Sequence, residues 1–122
     1  MTIIRAIVIG LALIATPAMA WTGNEMLRHC ETLDQSRPGQ APSPADDAFM
    51  QGLCLGTIFG MRFLVNATTN TGYQICVPDG VNNGQQMSVV VRYMRNHPEK
   101  LYNDFTYLVM DAFLEAWPCK RQ

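Results

Sequence analysis

Cysteines and histidines have the clearest capacity for chemistry in this chain, and the spacing of the cysteines limits what that chemistry can be. The four cysteines are Cys30, Cys54, Cys76 and Cys119. No two of them form the closely spaced pair that a zinc or redox site requires, so the sequence predicts no metal site. An even number of well-separated cysteines is typical of two disulfides, which leave no thiolate for catalysis.

The other candidates for acid–base chemistry are isolated from one another. His29 is predicted on the exposed flank of a first helix, and His97 at a corner between two helices. Two neighbouring carboxylates, Asp46 and Asp47, are explained by the positive end of a helix dipole. Asp111 and Glu115 lie four residues apart, on what we expect to be a solvated helix face. We therefore predict that the chain is not an enzyme and needs no cofactor.

The N-terminus has the three parts of a cleavable signal peptide. Residues 1–5 carry one positive charge, residues 6–15 are apolar, and residues 18–20 read Ala-Met-Ala before Trp21. The apolar stretch is shorter than the roughly 20 residues that span a membrane. We expect residues 1–20 to be removed on export to the periplasm, leaving residues 21–122 as one helical domain with no membrane span.

The charge balance excludes several classes of partner. The formal net charge is −1 at pH 7, and removal of Arg5 with the signal makes it one unit more negative. A mildly acidic surface without a basic stripe argues against nucleic acid and anionic membrane as partners.

Apolar residues recur at helical spacing in four stretches, and strand signals are scarce. Thr22 and Glu25 form the T-x-x-E pattern of a capping box, which opens the first helix. Ser43 is the predicted N-cap of a second helix over about residues 45–65, apolar nearly all round and therefore central. A polar loop of residues 66–75 follows it.

The last two helices are predicted to pack against each other. The third begins at a weaker capping pair, Asn83 and Gln86, and ends near Asn96. The fourth begins either at Pro98 or, if Asn103 is its cap, at Asp104. A link this short makes the two helices antiparallel, which brings Cys119 to Cys76 and leaves Cys30 for Cys54. The predicted fold is all-α: a small four-helix bundle, orthogonal or antiparallel, cross-linked by two disulfides.

Three glycines line one face of the second helix: Gly52, Gly56 and Gly60. Each weakens the helix by up to about 1 kcal/mol relative to alanine, which suggests close packing against the backbone there. The neighbour is either another helix of the same chain or a second copy of the protein. Gln51 and Arg62 interrupt the apolar stretch, so a membrane span is the poorer interpretation.

Several of these segments together resemble the Rap/Tai immunity proteins, which act against type VI secretion amidases. The matching segments are residues 27–30 (L-x-x-C), 49–60, 76–80 (CVPDG), 86, 89–94, 97–99 (HPE), 108–109, 112–113 and 116–119 (AWPC). The likeness covers nearly the whole predicted mature chain, including the spacing of all four cysteines. The family usually has Phe where this chain has Trp117.

The resemblance implies a helical periplasmic protein, often a homodimer, that binds a peptidoglycan-cleaving amidase and occludes its active site. The family's inhibitory element varies among members, so its residues do not transfer by position. Two polar segments are the best candidates for the partner surface, although the first is more readily explained as a plain connector whose tyrosine folds back on the core. Their residues are Thr68, Thr69, Asn70 and Tyr73 in the loop, and Asp79, Asn82 and Asn83 in the following turn.

A second functional class is compatible with the same composition. The size, helical content, mild acidity and methionine content are similar to those of periplasmic acid-stress chaperones of the HdeA kind. That alternative has no amidase partner, and it predicts dimer dissociation and exposed apolar surface in acid.

Overall fold

The computed structural model describes residues 20–41, 43–67 and 74–120, and they contain four α-helices. These are α1 (Gly23–Asp34), α2 (Ala45–Ala67), α3 (Asn83–Asn96) and α4 (Phe105–Ala116), with a 3₁₀ turn at Pro98–Lys100 between the last two. The described segments contain no strand, only two isolated β-bridges. The all-α prediction is confirmed. Predicted signal residues 1–19 and loop residues 68–73 lie outside the described residues.

The start of α1 is held by the predicted capping box. The backbone N–H of Thr22 donates to Glu25 Oε2 at 2.8 Å, and the Thr22 hydroxyl donates to the same oxygen at 2.9 Å. These two hydrogen bonds, the backbone one first, hold the pKa of the Glu25 carboxyl below its usual value. The carboxylate also compensates the positive end of the helix dipole.

The N-caps of α3 and α4 each differ by one residue from the prediction. Asn82, not Asn83, caps α3: its Oδ1 accepts from the backbone N–H of Gln85 at 2.9 Å, and Gln85 returns a bond to the Asn82 N–H. Gln86 is therefore free to turn inward, and only 3 % of its surface is exposed. Asp104 caps α4 by accepting from Thr106 N–H at 2.7 Å, while Pro98 begins only the 3₁₀ turn.

The helices enclose one apolar core. α1 packs on α2 and α3, and α3 packs on α4 as the short connection predicts. The largest fully buried side chains come from all four helices: Met26, Ile58, Val90, Val91, Met94, Leu108, Val109 and Phe113. Burial of such side chains contributes about 1.5–3 kcal/mol each, which makes this core the main source of stability.

Both disulfides have the predicted pairing. Cys30–Cys54 joins α1 to α2, and Cys76–Cys119 joins the segment before α3 to the end of α4. Each closes a loop whose entropy restrains the unfolded chain by roughly 3–4 kcal/mol.

The first residues of the folded domain are bound to the start of α4. Phe105 N–H donates to the Trp21 carbonyl at 2.8 Å, and Gly23 N–H donates to the Asn103 carbonyl at 3.0 Å. A Cβ at Gly23 would lie 3.1 Å from the Leu101 carbonyl oxygen and would clash with Leu108 Cδ1. Only glycine allows this close approach of the two segments.

One face of α2 has no neighbour among the described residues. Gly52, Gly56 and Gly60 are exposed, and no described atom lies within 4 Å of a Cβ built on any of them. Phe49 and Phe63 lie on the same side and are 62 % and 76 % exposed. We call these five residues the glycine face. No described helix of the chain packs there, so the face is open to a second copy of the protein.

The length and composition of α2 also meet the criteria for a membrane span. The segment Ala45–Asn66 has a mean hydropathy of 1.5, and 28 % of it is buried within the fold. Its inward side carries Cys54 and Ile58, both fully buried. This side of α2 belongs to the core of the bundle.

Candidate partner-binding site

The described residues do not bring together the ligands of a metal site. Among them, no group of three or more His, Cys, Asp or Glu side chains could hold a metal ion. All four cysteines are in disulfides, so none provides a thiolate. The polar side chains instead connect the helices to one another or form exposed surfaces.

His29 is not exposed as predicted; only 9 % of its surface is accessible. Its Nδ1 lies 3.3 Å from Asp47 Oδ1, and Arg28 Nη2 lies 3.8 Å from the same oxygen. The prediction is wrong because this flank of α1 faces the first turn of α2, which supplies the carboxylate. The three residues form a polar contact between α1 and α2.

A cleft of about 580 Å³ opens beside this contact. Its lining is Trp21, Asn24, Glu25, Arg28, His29, Asp46, Asp47 and Met50. Glu25 is engaged in the α1 capping box, and Asp47 pairs with His29 and Arg28. Most of the charged groups in the cleft therefore already have partners within the chain.

A second polar cluster closes the corner between α3 and α4. Lys100 Nζ donates to the hydroxyl of buried Tyr93 at 2.8 Å, and that hydroxyl donates to Asp111 Oδ2 at 3.3 Å. Burial raises the pKa of Tyr93. The His97 ring stacks on Tyr93 with centroids 4.2 Å apart, and its Nε2 lies 3.9 Å from Glu115 Oε2. The predicted surface carboxylates thus also tie this corner together.

The segment of residues 74–82 is fixed to the end of α4. Besides the Cys76–Cys119 disulfide, Cys76 N–H donates to the Trp117 carbonyl at 2.8 Å, and Cys119 N–H donates to the Gln74 carbonyl at 2.8 Å. A covalent bond and two backbone hydrogen bonds within a few residues leave this segment little freedom. It is a rigid projection, although most of its residues are exposed.

Arg62 of α2 also holds the 74–82 segment, a role that the sequence analysis did not predict. Its Nη2 donates to the Pro78 carbonyl at 3.3 Å, while Nη1 is buried without a hydrogen-bond partner among the described residues. Gln86 Oε1 is likewise buried and unpaired. Such groups are costly in a stable core. The only sequence signal was a charged residue within an apolar helix.

The predicted partner residues in this region have different roles. Asp79 and Asn83 are exposed. Asn82 is also exposed, but its side chain caps α3 and is engaged within the chain. The other four candidates, Thr68, Thr69, Asn70 and Tyr73, lie outside the described residues.

A groove of about 510 Å³ adjoins the 74–82 segment, and we call it the α3 groove. Its lining residues are Val81, Asn82, Gly84, Gln85, Ser88, Val89, Arg92 and Trp117. Three of these are half-buried apolar side chains, Val81, Val89 and Trp117. Arg92 is exposed and makes no ion pair with any described residue, and no carboxylate is among the lining residues. This groove can therefore take a ligand that is apolar and negatively charged.

Comparison with known proteins identifies a family. A search of curated proteins and a search of solved structures each gave no significant match. The family model described as Rap1a immunity proteins matches residues 22–119, which include all four helices and both disulfides. The chain belongs to the Rap1a immunity protein family.

Proposed function

We propose that this protein is a periplasmic immunity protein that neutralises a peptidoglycan-cleaving amidase effector of type VI secretion by occluding its active site. The observation that carries the proposal is the family match over residues 22–119. An immunity protein acts by binding its effector. The most distinctive features of this domain are its exposed surfaces, which is consistent with a binding role.

The occluding element in this proposal is the end of the molecule that carries the 74–82 segment. The segment is exposed, yet it is held by the Cys76–Cys119 disulfide and by Arg62. A rigid projection loses little conformational entropy on binding, so more of its contact energy appears as affinity. Asp79 and Asn83 supply polar contacts there, and the preceding loop of residues 68–73 is proposed to extend the surface.

The proposed compartment follows from the disulfides and from the target. Two disulfides persist in an oxidising compartment such as the bacterial periplasm, and residues 1–20 are proposed as the signal that takes the chain there. Peptidoglycan lies in the same compartment. An inhibitor of an amidase that cuts it would have to act there.

The proposed homodimer forms through the glycine face of α2. Exposed Phe49 and Phe63 flank a stripe where two helix backbones can approach closely. Burial of these two phenylalanines in a partner would contribute about 1.5–3 kcal/mol each.

Gly56→Leu tests the dimer because its two expected effects have opposite signs. A Cβ at this position meets no atom of another described helix, and leucine raises helix propensity, so the melting temperature of the monomer should rise. The same side chain blocks close helix approach, so sedimentation should show the dimer lost. Tyr107→Asp, at an exposed residue of α4, is the control that keeps the dimer. A wild-type protein that sediments as a monomer at every concentration contradicts the proposal.

The immunity function is tested by toxicity. The amidase encoded beside this gene is directed to the periplasm of a host cell, with and without the full-length chain. We expect lysis without the chain, growth with it, and loss of amidase activity when the purified proteins are mixed. Continued lysis despite periplasmic accumulation of the folded chain would argue against this function.

A further inference from the structure

We propose that the α3 groove binds a protein segment in which an aspartate or glutamate lies next to an apolar side chain. The inference rests on the proposed function only for the identity of the protein that carries the segment, which is the effector. The groove itself, its shape and its charge are features of the described residues alone.

The walls of the groove select an apolar side chain. Val81, Val89 and Trp117 supply the apolar part of its lining. All three are half-buried, so the groove is already partly dehydrated before a ligand enters. The transfer of an apolar side chain from water into such a groove is favourable. A volume of about 510 Å³ accommodates a few side chains rather than a whole helix.

Arg92 selects a carboxylate. Arg95, three residues further along α3, is satisfied by Glu31 at 2.6 Å, and Arg28 lies 3.8 Å from Asp47. Arg92 makes no such pair with any described residue, and the groove lining contains no carboxylate. A guanidinium beside apolar walls binds a carboxylate with two parallel hydrogen bonds, and partial exclusion of water strengthens them.

The groove is held open by contacts of several lining residues. Val81 belongs to the 74–82 segment, which the Cys76–Cys119 disulfide anchors. Trp117 packs against Phe113 with ring centroids 5.4 Å apart. The hydroxyl of Ser88, another lining residue, donates to Asp34 of α1 at 2.6 Å. Such prior fixation reduces the entropy lost on binding.

The charge of the groove distinguishes it from the α1–α2 cleft. That cleft contains Glu25, Asp46 and Asp47 in its lining. Its basic residues, Arg28 and His29, lie beside Asp47, so a segment with a carboxylate is attracted more strongly at Arg92. The proposal therefore names one site and one sign of charge.

The first experiment uses two synthetic peptides and the protein purified from the periplasm after export of the full chain. The acidic peptide is acetyl-Gly-Leu-Asp-Phe-Gly-amide, and the matched control carries Lys in place of Asp. Nitrogen-15 NMR follows the side-chain N–H signals of Trp117 and Arg92. We expect both signals to shift saturably with the acidic peptide, with an affinity at least about tenfold higher than for the lysine peptide.

Charge reversal at Arg92 is the decisive variant. Arg92→Glu should reverse the preference between the two peptides, whereas Arg37→Glu, the same charge change on an exposed loop residue outside the groove, should leave it unchanged. Arg92→Gln should abolish the preference without reversing it. Equal affinities for the two peptides, or shifts that map to other surfaces, overturn the proposal.

A parallel titration with the amidase separates this inference from the proposed function. If the wild-type protein inhibits the amidase and Arg92→Glu weakens the complex about tenfold or more, both are supported. If Arg92→Glu inhibits equally well, the groove proposal is overturned and the function stands. If the wild-type protein binds no amidase, the function fails, and the peptide titration decides whether the groove binds such segments.

Discussion

The two disulfides of this domain lie in opposite surroundings. Cys30 and Cys54 are each 0 % exposed and join two helices inside the core. Cys76 is exposed, and its bond to Cys119 joins a surface segment to the end of the chain. The loops that they close differ in length, 24 against 43 residues in sequence separation, but loop entropy depends only weakly on length.

The two disulfides therefore contribute differently: the buried one mainly supports the stability of the fold, and the exposed one mainly positions a surface segment. The buried bond is part of the packing of α1 against α2, so its removal also leaves a cavity. The exposed bond contributes a similar entropic restraint, but its local effect is to hold the 74–82 segment and one wall of the α3 groove. Two bonds of the same kind thus support different properties of the molecule.

Removal of the buried bond should have the largest effect on stability. Replacement of Cys30 and Cys54 together by Ala should lower the free energy of unfolding by about 5 kcal/mol, because lost loop restraint and lost packing add. Urea unfolding followed by circular dichroism measures this. A loss smaller than that of the exposed pair contradicts the comparison.

Removal of the exposed disulfide should reduce stability less, and peptide binding more, than removal of the buried disulfide. Replacement of Cys76 and Cys119 together by Ala should lower the free energy of unfolding by about 3–4 kcal/mol, the loop term alone. At a temperature where both double variants are folded, only this one should bind the acidic peptide more weakly. Equal binding by the two variants would show that the bond does not position the groove.

The Tyr93 cluster ties a corner of the bundle without any disulfide, and its effect should be smaller. Tyr93→Phe removes the hydrogen bonds to Lys100 and Asp111 and should cost about 1–2 kcal/mol. Urea unfolding at neutral pH measures the loss, with Tyr102→Phe at an exposed position as control. Equal losses for the two variants would remove any special role for the cluster.

The same cluster gives a dependence on alkaline pH. Because burial raises the pKa of Tyr93 in the folded state, the folded protein holds this proton to higher pH than the unfolded chain does. The associated stability is present below the unfolded-state pKa of about 10 and is lost as pH rises through the folded-state pKa. Ultraviolet titration should show a late-ionising tyrosine that is missing in Tyr93→Phe.

The smallest effect is expected at the α1 capping box. Glu25→Gln keeps a hydrogen-bond acceptor but removes the charge that Thr22 stabilises. Because the folded-state pKa of Glu25 is lowered, the contribution is present above the unfolded-state pKa and is lost as pH falls through the folded value. The variant should melt slightly lower at neutral pH and should match wild type in strong acid. A difference that persists in acid would rule out the charge as the cause.

Features set by neighbours in sequence were predictable here. The Thr22–Glu25 box involves residues three apart, and the disulfide pairing followed from the short link between α3 and α4. The exchange of Asn82 for Asn83 shows the limit of this approach, because both residues are good N-caps and each is followed three residues later by a glutamine, Gln85 or Gln86.

Features set by how helices meet were not predictable from the sequence. His29 is buried because α1 lies against the first turn of α2, and no local pattern encodes that angle. In the sequence, Arg62 is only a polar residue within an apolar helix. Its contact with the 74–82 segment depends on how the chain folds. The α3 groove needs Trp117 next to Val89, and their proximity depends on the complete fold.

The close approach of Gly23 to Leu101 has a consequence for the export that we propose. A chain that enters the periplasm amino end first presents Trp21 and Gly23 early, but their hydrogen-bond partners, Asn103 and Phe105, lie near the other end. The start of α1 therefore cannot reach its final position until nearly the whole chain has crossed. In the export that we propose, these contacts would therefore be among the last of the fold to form.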